Sequence, residues 1–349
     1  MLNPSMYRDT LRVIGGMIPD PPWPARYECA RWAHVNLGDI DSYPPMNSIL
    51  NDLLDRFTRI VVGRSMPAVL TSGATESNIL ALYYWRNIGK KRVVLFKHTH
   101  YSVLKGAKLL GMRYTIIDPE DLEKTVGSSD IIVATLGSTE LGRIDDLKSI
   151  RRIAESKGAH VHVDSAYYGA IYRYSHGLKE IVLDDIVASL SVDLHKIPEA
   201  PPPAGVLIVS SKDIINQLYF KAEYIPSGSQ FGLLGTRPGC VIPAASVALR
   251  LTLERWPGGP ASLARDLQRV VDDVTGSLEY YGYRAVGGPA PIRCLIHYNI
   301  NKILKYLYRK GFRAYTCSTG QGIRFVAMPH HIWKGYNWII RLLVEASRG

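Results

Sequence analysis

Residues 191–198 read SVDLHKIP, which puts Lys196 at the end of an apolar, β-branched run. Lysine normally keeps its ammonium in water. At the end of a buried strand the ammonium loses solvation, its pKa falls, and the neutral amine can form a Schiff base with an aldehyde. Four other polar clusters precede it. In TSGATESN, Thr71 to Asn78, small residues open a helix whose first N–H groups and positive dipole end can receive a phosphate. KHTHYS offers His98 and His100, either of which has a flat ring that can lie on a planar cofactor. LGSTELGRIDD offers the hydroxyls of Ser138 and Thr139. In HVHVDSAYYG, Asp164 ends an apolar strand, and a buried carboxylate needs a positive partner such as a protonated pyridine nitrogen. Taken singly, each has a plainer reading: a helix cap at Ser72 to Glu76, a structural histidine, a loop, an aspartate cap and a surface lysine.

The elements that must position these residues follow from hydrophobic periodicity. Strands are predicted at 67–72, 92–96, 113–117, 130–135, 160–164, 186–192 and 205–209, with helices over 76–88, 101–110 and 147–157 among them. A shorter helix is predicted near 26–34. Continuous apolar strands alternating with helices indicate a mostly parallel sheet covered on both faces. Past residue 240 the pattern changes to a long helix, short strands, a helix at 301–310 and a last helix at 331–346. The expected organisation is an N-terminal segment (1–45), a large domain (46–240) and a small C-terminal α+β domain (241–349). Sites on such sheets lie past the carboxyl ends of the strands. The phosphate cradle, the histidine, Asp164 and Lys196 fall in that order, each past a different strand. Together they are the set that pyridoxal phosphate needs.

Composition agrees with a globular enzyme: 46% hydrophobic and 21% charged residues over 349 positions. The net charge of +11 is scattered, with no run longer than KKR at 90–92, and no nucleic-acid-binding motif accompanies it. No apolar run reaches the ~20 residues of a membrane span, and the N-terminus lacks the apolar core of a signal peptide. The four cysteines form no CxxC pair, so neither zinc nor a disulfide framework is expected, and free thiols in a reducing cytoplasm fit best.

Several ordered segments resemble group II amino-acid decarboxylases. TSGATESNILAL is similar to their SGGTEAN stretch, HVDSAYYGA to HVDAAxxG and SVDLHK to SxDxHK. VNLGDIDSYPP, GSTELGRIDD, LLGTRPG and RFVAMPHHI resemble segments of the archaeal tyrosine/aspartate decarboxylases, in matching order from about residue 16 to 345. The resemblance implies the aspartate-aminotransferase-like α/β fold (fold type I), with a seven-stranded mostly parallel sheet. It also implies a homodimer with active sites at the subunit interface. By position, Lys196 would carry the cofactor as a Schiff base, Asp164 would pair with the ring nitrogen, and Ala166 and His100 would pack on the ring. Gly73, Ala74 and Thr75 would hold the phosphate, with His195, Ser138 and Thr139 nearby. Gly235 and Thr236 would reach the partner's cofactor. Tyr224 would return a proton to Cα, and Arg324 would bind a substrate carboxylate. No metal is expected. The chain departs from the pattern at Ala74, where the family has a second glycine, at the tyrosines of SAYYG and in the proline-rich PEAPPPAG. The expected reaction is decarboxylation of L-aspartate to β-alanine for coenzyme A synthesis. L-tyrosine, L-glutamate and a sphingosine-phosphate-lyase-like cleavage are the alternatives.

Overall fold

The computed structural model describes residues 12–175, 180–318 and 320–348. All seven predicted strands of the large sheet form: β1 (Ala68–Thr71), β2 (Arg92–Phe96), β3 (Arg113–Ile117), β4 (Asp130–Thr135), β5 (His160–Asp164), β6 (Val187–Val192) and β7 (Gly205–Val209). They lie in the order β1-β7-β6-β5-β4-β2-β3. The pairs from β6 across to β3 are parallel, whereas β7 is antiparallel to both β6 and β1. The physical reason lies in the connections. A parallel return needs a long crossover, usually a helix. Residues 193–204 between β6 and β7 contain no helix, so the chain turns straight back. That turn is the proline-rich stretch, with cis peptides at Ile197–Pro198 and Pro202–Pro203.

Every residue of β4, β6 and β7 is buried, as expected for strands covered on both faces. β3 is a sheet edge and is mostly exposed. The covering helices include α1 (Trp23–Arg31), α2 (Pro44–Val62), α3 (Ala74–Asn87), α4 (Tyr101–Leu109), α5 (Leu147–Lys157) and α6 (Val241–Arg255). α1 starts three residues earlier than its periodicity indicated, because Pro24 suits the first turn of a helix, where no N–H is missed. Leu80, Leu82, Val103, Ile131, Val133 and Leu207 belong to one continuous core between sheet and helices.

The chain forms two compact units. One holds Pro19–Ser138 and Asp145–Ala264; the other holds the described residues up to Ile18, Thr139–Ile144 and Arg265–Gly349. The division therefore falls at Ala264 rather than at 240. α6 packs on α1 and α2, so its apolar face belongs to the core of the sheet unit. The smaller unit is built on an antiparallel sheet of β8 (Arg284–Val286), β9 (Ile292–Ile296) and β10 (Gly322–Val326). The last predicted helix is two helices, Pro329–Lys334 and Asn337–Arg348, separated at Gly335 with φ +81°.

The expectation of four free thiols is corrected here: Cys294 and Cys317 form a disulfide within the smaller unit. Cys294 lies on β9 opposite Arg324 of β10, and Thr316 bridges to Ile323 of that same strand. These pairings bring the two Cα atoms to 6.2 Å, within bridging distance. Spacing along the chain, 23 residues, carried no hint of this.

One glycine is fixed by the site it supports. A Cβ on Gly205, at the start of β7, would lie 2.5 Å from the Gly73 Cα and 3.0 Å from the Asp193 Oδ1. Neither backbone nor buried carboxylate can yield freely, so Gly205→Ala is expected to destabilise by about 1–3 kcal/mol. Gly276→Ala, with open space around it in a helix, serves as the control. Thermal melts of the two variants check this: only Gly205→Ala should lose several degrees.

Candidate active site

The site grows from the ends of β5 and β6, where Asp164 pairs in register with Ser191. Five residues past Ser191 comes Lys196. Its Nζ lies 2.8 Å from the Asp193 Oδ2, and the side chain is only 18% exposed. Asp193 is buried; its Oδ1 accepts the Ala74 N–H at 2.6 Å and the His195 Nε2 lies 3.5 Å from its Oδ2. Burial alone would raise the Asp193 pKa. The charges of Lys196 and His195 and the hydrogen bonds from Lys196 and Ala74 outweigh it and hold the carboxyl below its usual range. The His195 Nδ1–H donates to the Ala204 carbonyl at 2.7 Å, which fixes the ring between the lysine turn and β7.

The helix cap and the cradle coexist. α3 begins at Ala74, with Gly73 at φ +127°, a conformation suited to glycine. The Glu76 carboxylate reaches back to accept Ser72 N–H at 2.6 Å and its hydroxyl at 2.8 Å. Ala74 N–H, expected to face a phosphate, is instead directed at Asp193, which leaves the rest of the first turn for that task.

Asp164 is 4% exposed. It accepts Asn78 Nδ2–H at 2.9 Å and Ala166 N–H at 3.2 Å, both neutral donors. Its negative charge therefore still requires a cation, and a protonated pyridine nitrogen would suit. On this donor set the residues fit pyridoxal phosphate: an amine, an uncompensated buried carboxylate and a glycine-opened helix N-terminus in one unit. His100 caps α4, and its Nδ1 lies 2.8 Å from the Ser102 hydroxyl. Burial pushes its pKa down against the opposing pull of Asp164, with Lys196 lowering it further, so the ring is neutral at pH 7. His98, by contrast, pairs with Asp145 at 2.8 Å and stacks on Phe96, a structural arrangement.

The remaining expected residues sit on other elements. Ser138 is buried three residues past the end of β4. Thr139 belongs to the smaller unit, where its carbonyl accepts Arg324 Nη1 at 3.3 Å. Arg324 also donates from Nε to the Gly15 carbonyl at 2.6 Å and lies over the Tyr315 ring. These contacts tie the guanidinium into the smaller unit's own backbone. Tyr224 is 86% exposed on the loop joining Tyr219–Lys221 to Ser229–Phe231, and Gly235 and Thr236 are exposed in the following loop. Tyr167 and Tyr168 are core side chains.

Sequence reasoning missed Asp193 as the partner of Lys196, and it missed a buried polar stripe. His162 and Asp164 on β5 face the same side, in register with Ser189 and Ser191 on β6. Two polar residues at period two among the four buried residues that end β5 were the available signal. His162 is fully buried, and burial holds its pKa down to about 4, opposed only in part by Asp164. An unfolded histidine titrates near 6.5. Between these values the unfolded chain binds a proton that the folded chain does not. This contribution to stability is complete above pH 6.5 and is lost as pH falls. Urea unfolding is expected to show about 2 kcal/mol less stability at pH 5 than at pH 7.5 from this group. His162→Gln should flatten that difference.

Comparison with known proteins agrees with the geometry. The chain is similar to a probable L-tyrosine/L-aspartate decarboxylase of Methanopyrus kandleri, 27% identical over 91% of each chain. A probable L-aspartate decarboxylase of Haloarcula marismortui is 27% identical over 95% of each. Among solved structures, a Burkholderia pseudomallei sphingosine-1-phosphate lyase superposes with a TM-score of 0.83 at 20% identity, covering 99% of this chain and 88% of that one. Lactobacillus brevis glutamate decarboxylase gives 0.83 at 16% identity, covering 100% and 93%. These two similarities show the fold, that of fold type I pyridoxal phosphate enzymes. The model of the pyridoxal-dependent decarboxylase conserved domain matches residues 61–244, more than half of the chain and all the residues from the α3 cradle to Lys196. The chain therefore belongs to the pyridoxal-dependent decarboxylase family.

Proposed function

We propose that the protein is an L-aspartate α-decarboxylase forming β-alanine, a precursor for coenzyme A synthesis, and that it works as a cytoplasmic homodimer with its sites at the subunit interface. The observation that carries the chemistry is Lys196 held at Asp193 past β6, with the uncompensated Asp164 one strand away. The substrate rests on the names of the relatives that match over nearly full length, and the net charge of +11 would steer an acidic substrate toward the protein.

Bound at this site, pyridoxal phosphate supplies a sink for the electron pair left on Cα when carbon dioxide departs. Lys196 Nζ provides the attachment point; to serve, it gives up its proton and leaves Asp193. Asp164 holds a proton at the pyridine nitrogen through its negative charge. Gly73, Thr75 and the first turn of α3 hold the phosphate by N–H groups and dipole. Neutral His100 and Ala166 bound the ring. Tyr224, on its exposed loop, returns the proton to Cα after closure. Ser138, Gly235 and Thr236 complete the proposed contacts.

The test is carbon dioxide release from each common amino acid. Aspartate should give the highest kcat/KM. Activity on tyrosine or glutamate with none on aspartate would replace the substrate and keep the reaction class.

A further inference from the structure

The buried polar stripe converges on one residue. Asn78 Oδ1 accepts the Ser191 hydroxyl at 2.6 Å and lies 2.8 Å from the His162 Nε2. Its Nδ2 donates to the Ser102 hydroxyl and to the Asp164 Oδ2, each at 2.9 Å. Asn78, Ser102, His162, Asp164, Ser189 and Ser191 are all buried. The amide can sit only one way round: turned over, its carbonyl would face the Asp164 carboxylate, oxygen against oxygen. That orientation dictates the remaining protons. His162 must donate from Nε2, so its Nδ1 accepts from the Ser189 hydroxyl at 2.8 Å. Ser102, already accepting from Asn78, turns its own hydrogen to the His100 Nδ1. The His100 proton therefore resides on Nε2. Both polar atoms of the Asn78 amide are engaged; one partner is the Asp164 carboxylate, and another, Ser102, leads on to His100.

We propose that Asn78 is a positioning residue that aims Asp164 at the pyridine nitrogen as an ionised acceptor and, through Ser102, fixes His100 as its Nε2–H tautomer. This rests on the reading that the site carries pyridoxal phosphate on Lys196. Without the amide, Asp164 loses the hydrogen bond that aims its carboxylate, and the proton on the ring nitrogen is held less firmly. A less cationic ring makes the lysine-bound imine more basic.

The experiment is a pH titration of the visible absorbance of holoenzyme, wild type against Asn78→Ala, with the kcat profile followed alongside. The midpoint is expected to rise by about half a unit or more in Asn78→Ala, with cofactor affinity weakened several-fold. Asn78→Asp matches the volume and keeps an acceptor for Ser191 and His162, but it sets an oxygen against Asp164. It should shift the midpoint in the same direction, and it serves where the alanine variant fails to fold. Unmoved midpoints and pH profiles in both variants, even with lowered melting temperatures, would overturn the proposal and leave Asn78 a structural residue. Wild-type protein with no absorbance from a lysine-bound cofactor would sink the underlying reading instead.

A separate observation concerns the remaining cysteines. Cys29 on α1 and Cys240 at the start of α6 place their sulfurs 2.7 Å apart, closer than unbonded sulfurs pack. The same segments are tied by Gly239 N–H to the Val35 carbonyl at 2.8 Å and Leu37 N–H to the Arg237 carbonyl at 2.9 Å. We infer that Cys29 and Cys240 form a disulfide on exposure to a disulfide oxidant such as oxidised glutathione. Cys29 is the less buried of the two and attacks first, forming a mixed disulfide and releasing one glutathione thiol. Cys240 then gives its proton to solvent and displaces the second glutathione. Two electrons pass from the protein pair to the oxidant. Peptide mapping after oxidation and alkylation should recover Cys29 and Cys240 in one reducible, linked pair. Recovery of both as alkylated thiols, or of Cys29 only as a glutathione adduct, would overturn it.

Discussion

Lys196→Ala is expected to lower kcat for decarboxylation by a factor of about 10³ or more. Among the described residues, Lys196 is the amine paired with Asp193 past β6 and so the one placed to bond the cofactor aldehyde and exchange that bond for the substrate amine. Its setting also makes the effect separable from stability. Lys196 stabilises Asp193 by an ion pair at 2.8 Å, so the alanine variant leaves a buried carboxylate short of one cation. His195 and Ala74 N–H remain as its partners. A moderately lowered melting temperature is therefore expected, together with a folded protein that has lost turnover. Circular dichroism and steady-state kinetics on the same preparation check both. Full turnover in Lys196→Ala would show that a different lysine is used.

Asp164→Asn should lower kcat by about 10²–10³ while KM changes little. The asparagine keeps the shape and accepts from Ala166 N–H as Asp164 does at 3.2 Å, but it carries no charge to hold a proton at the ring nitrogen. An unprotonated ring is a weak electron sink, so the loss falls on the chemical step rather than on binding. Asp164→Glu retains the charge on a longer stem and should keep part of the activity. Equal kcat in Asp164→Asn and wild type would remove Asp164 from the mechanism.

Much of this arrangement is legible in the chain. The seven strands could be read from continuous apolar runs, because sheets covered on both faces need them. Lys196 and Asp164 stood out because charged residues at the ends of such runs conflict with burial. What could not be read depends on contacts far apart along the chain. The contact of Asp193 with Ala74 N–H could not be read, because the two lie 119 residues apart. Asn78 looked like one more polar residue in a helix until the strands carrying His162, Asp164 and Ser191 were brought beneath it. The Cys294–Cys317 bridge needed the antiparallel pairing of β9 and β10. The place of α6 was misjudged because an apolar helix face does not say which core it covers; α1 and α2 decide that.

The most direct test of the central claim is chemical trapping. Protein incubated with pyridoxal phosphate is reduced with borohydride, which converts the imine to a stable secondary amine, and is then digested and mapped by mass spectrometry. A pyridoxyl-phosphate adduct on the peptide containing Lys196, absent from Lys196→Ala, is the predicted result. An adduct confined to another lysine, or none on a folded protein, would contradict the account.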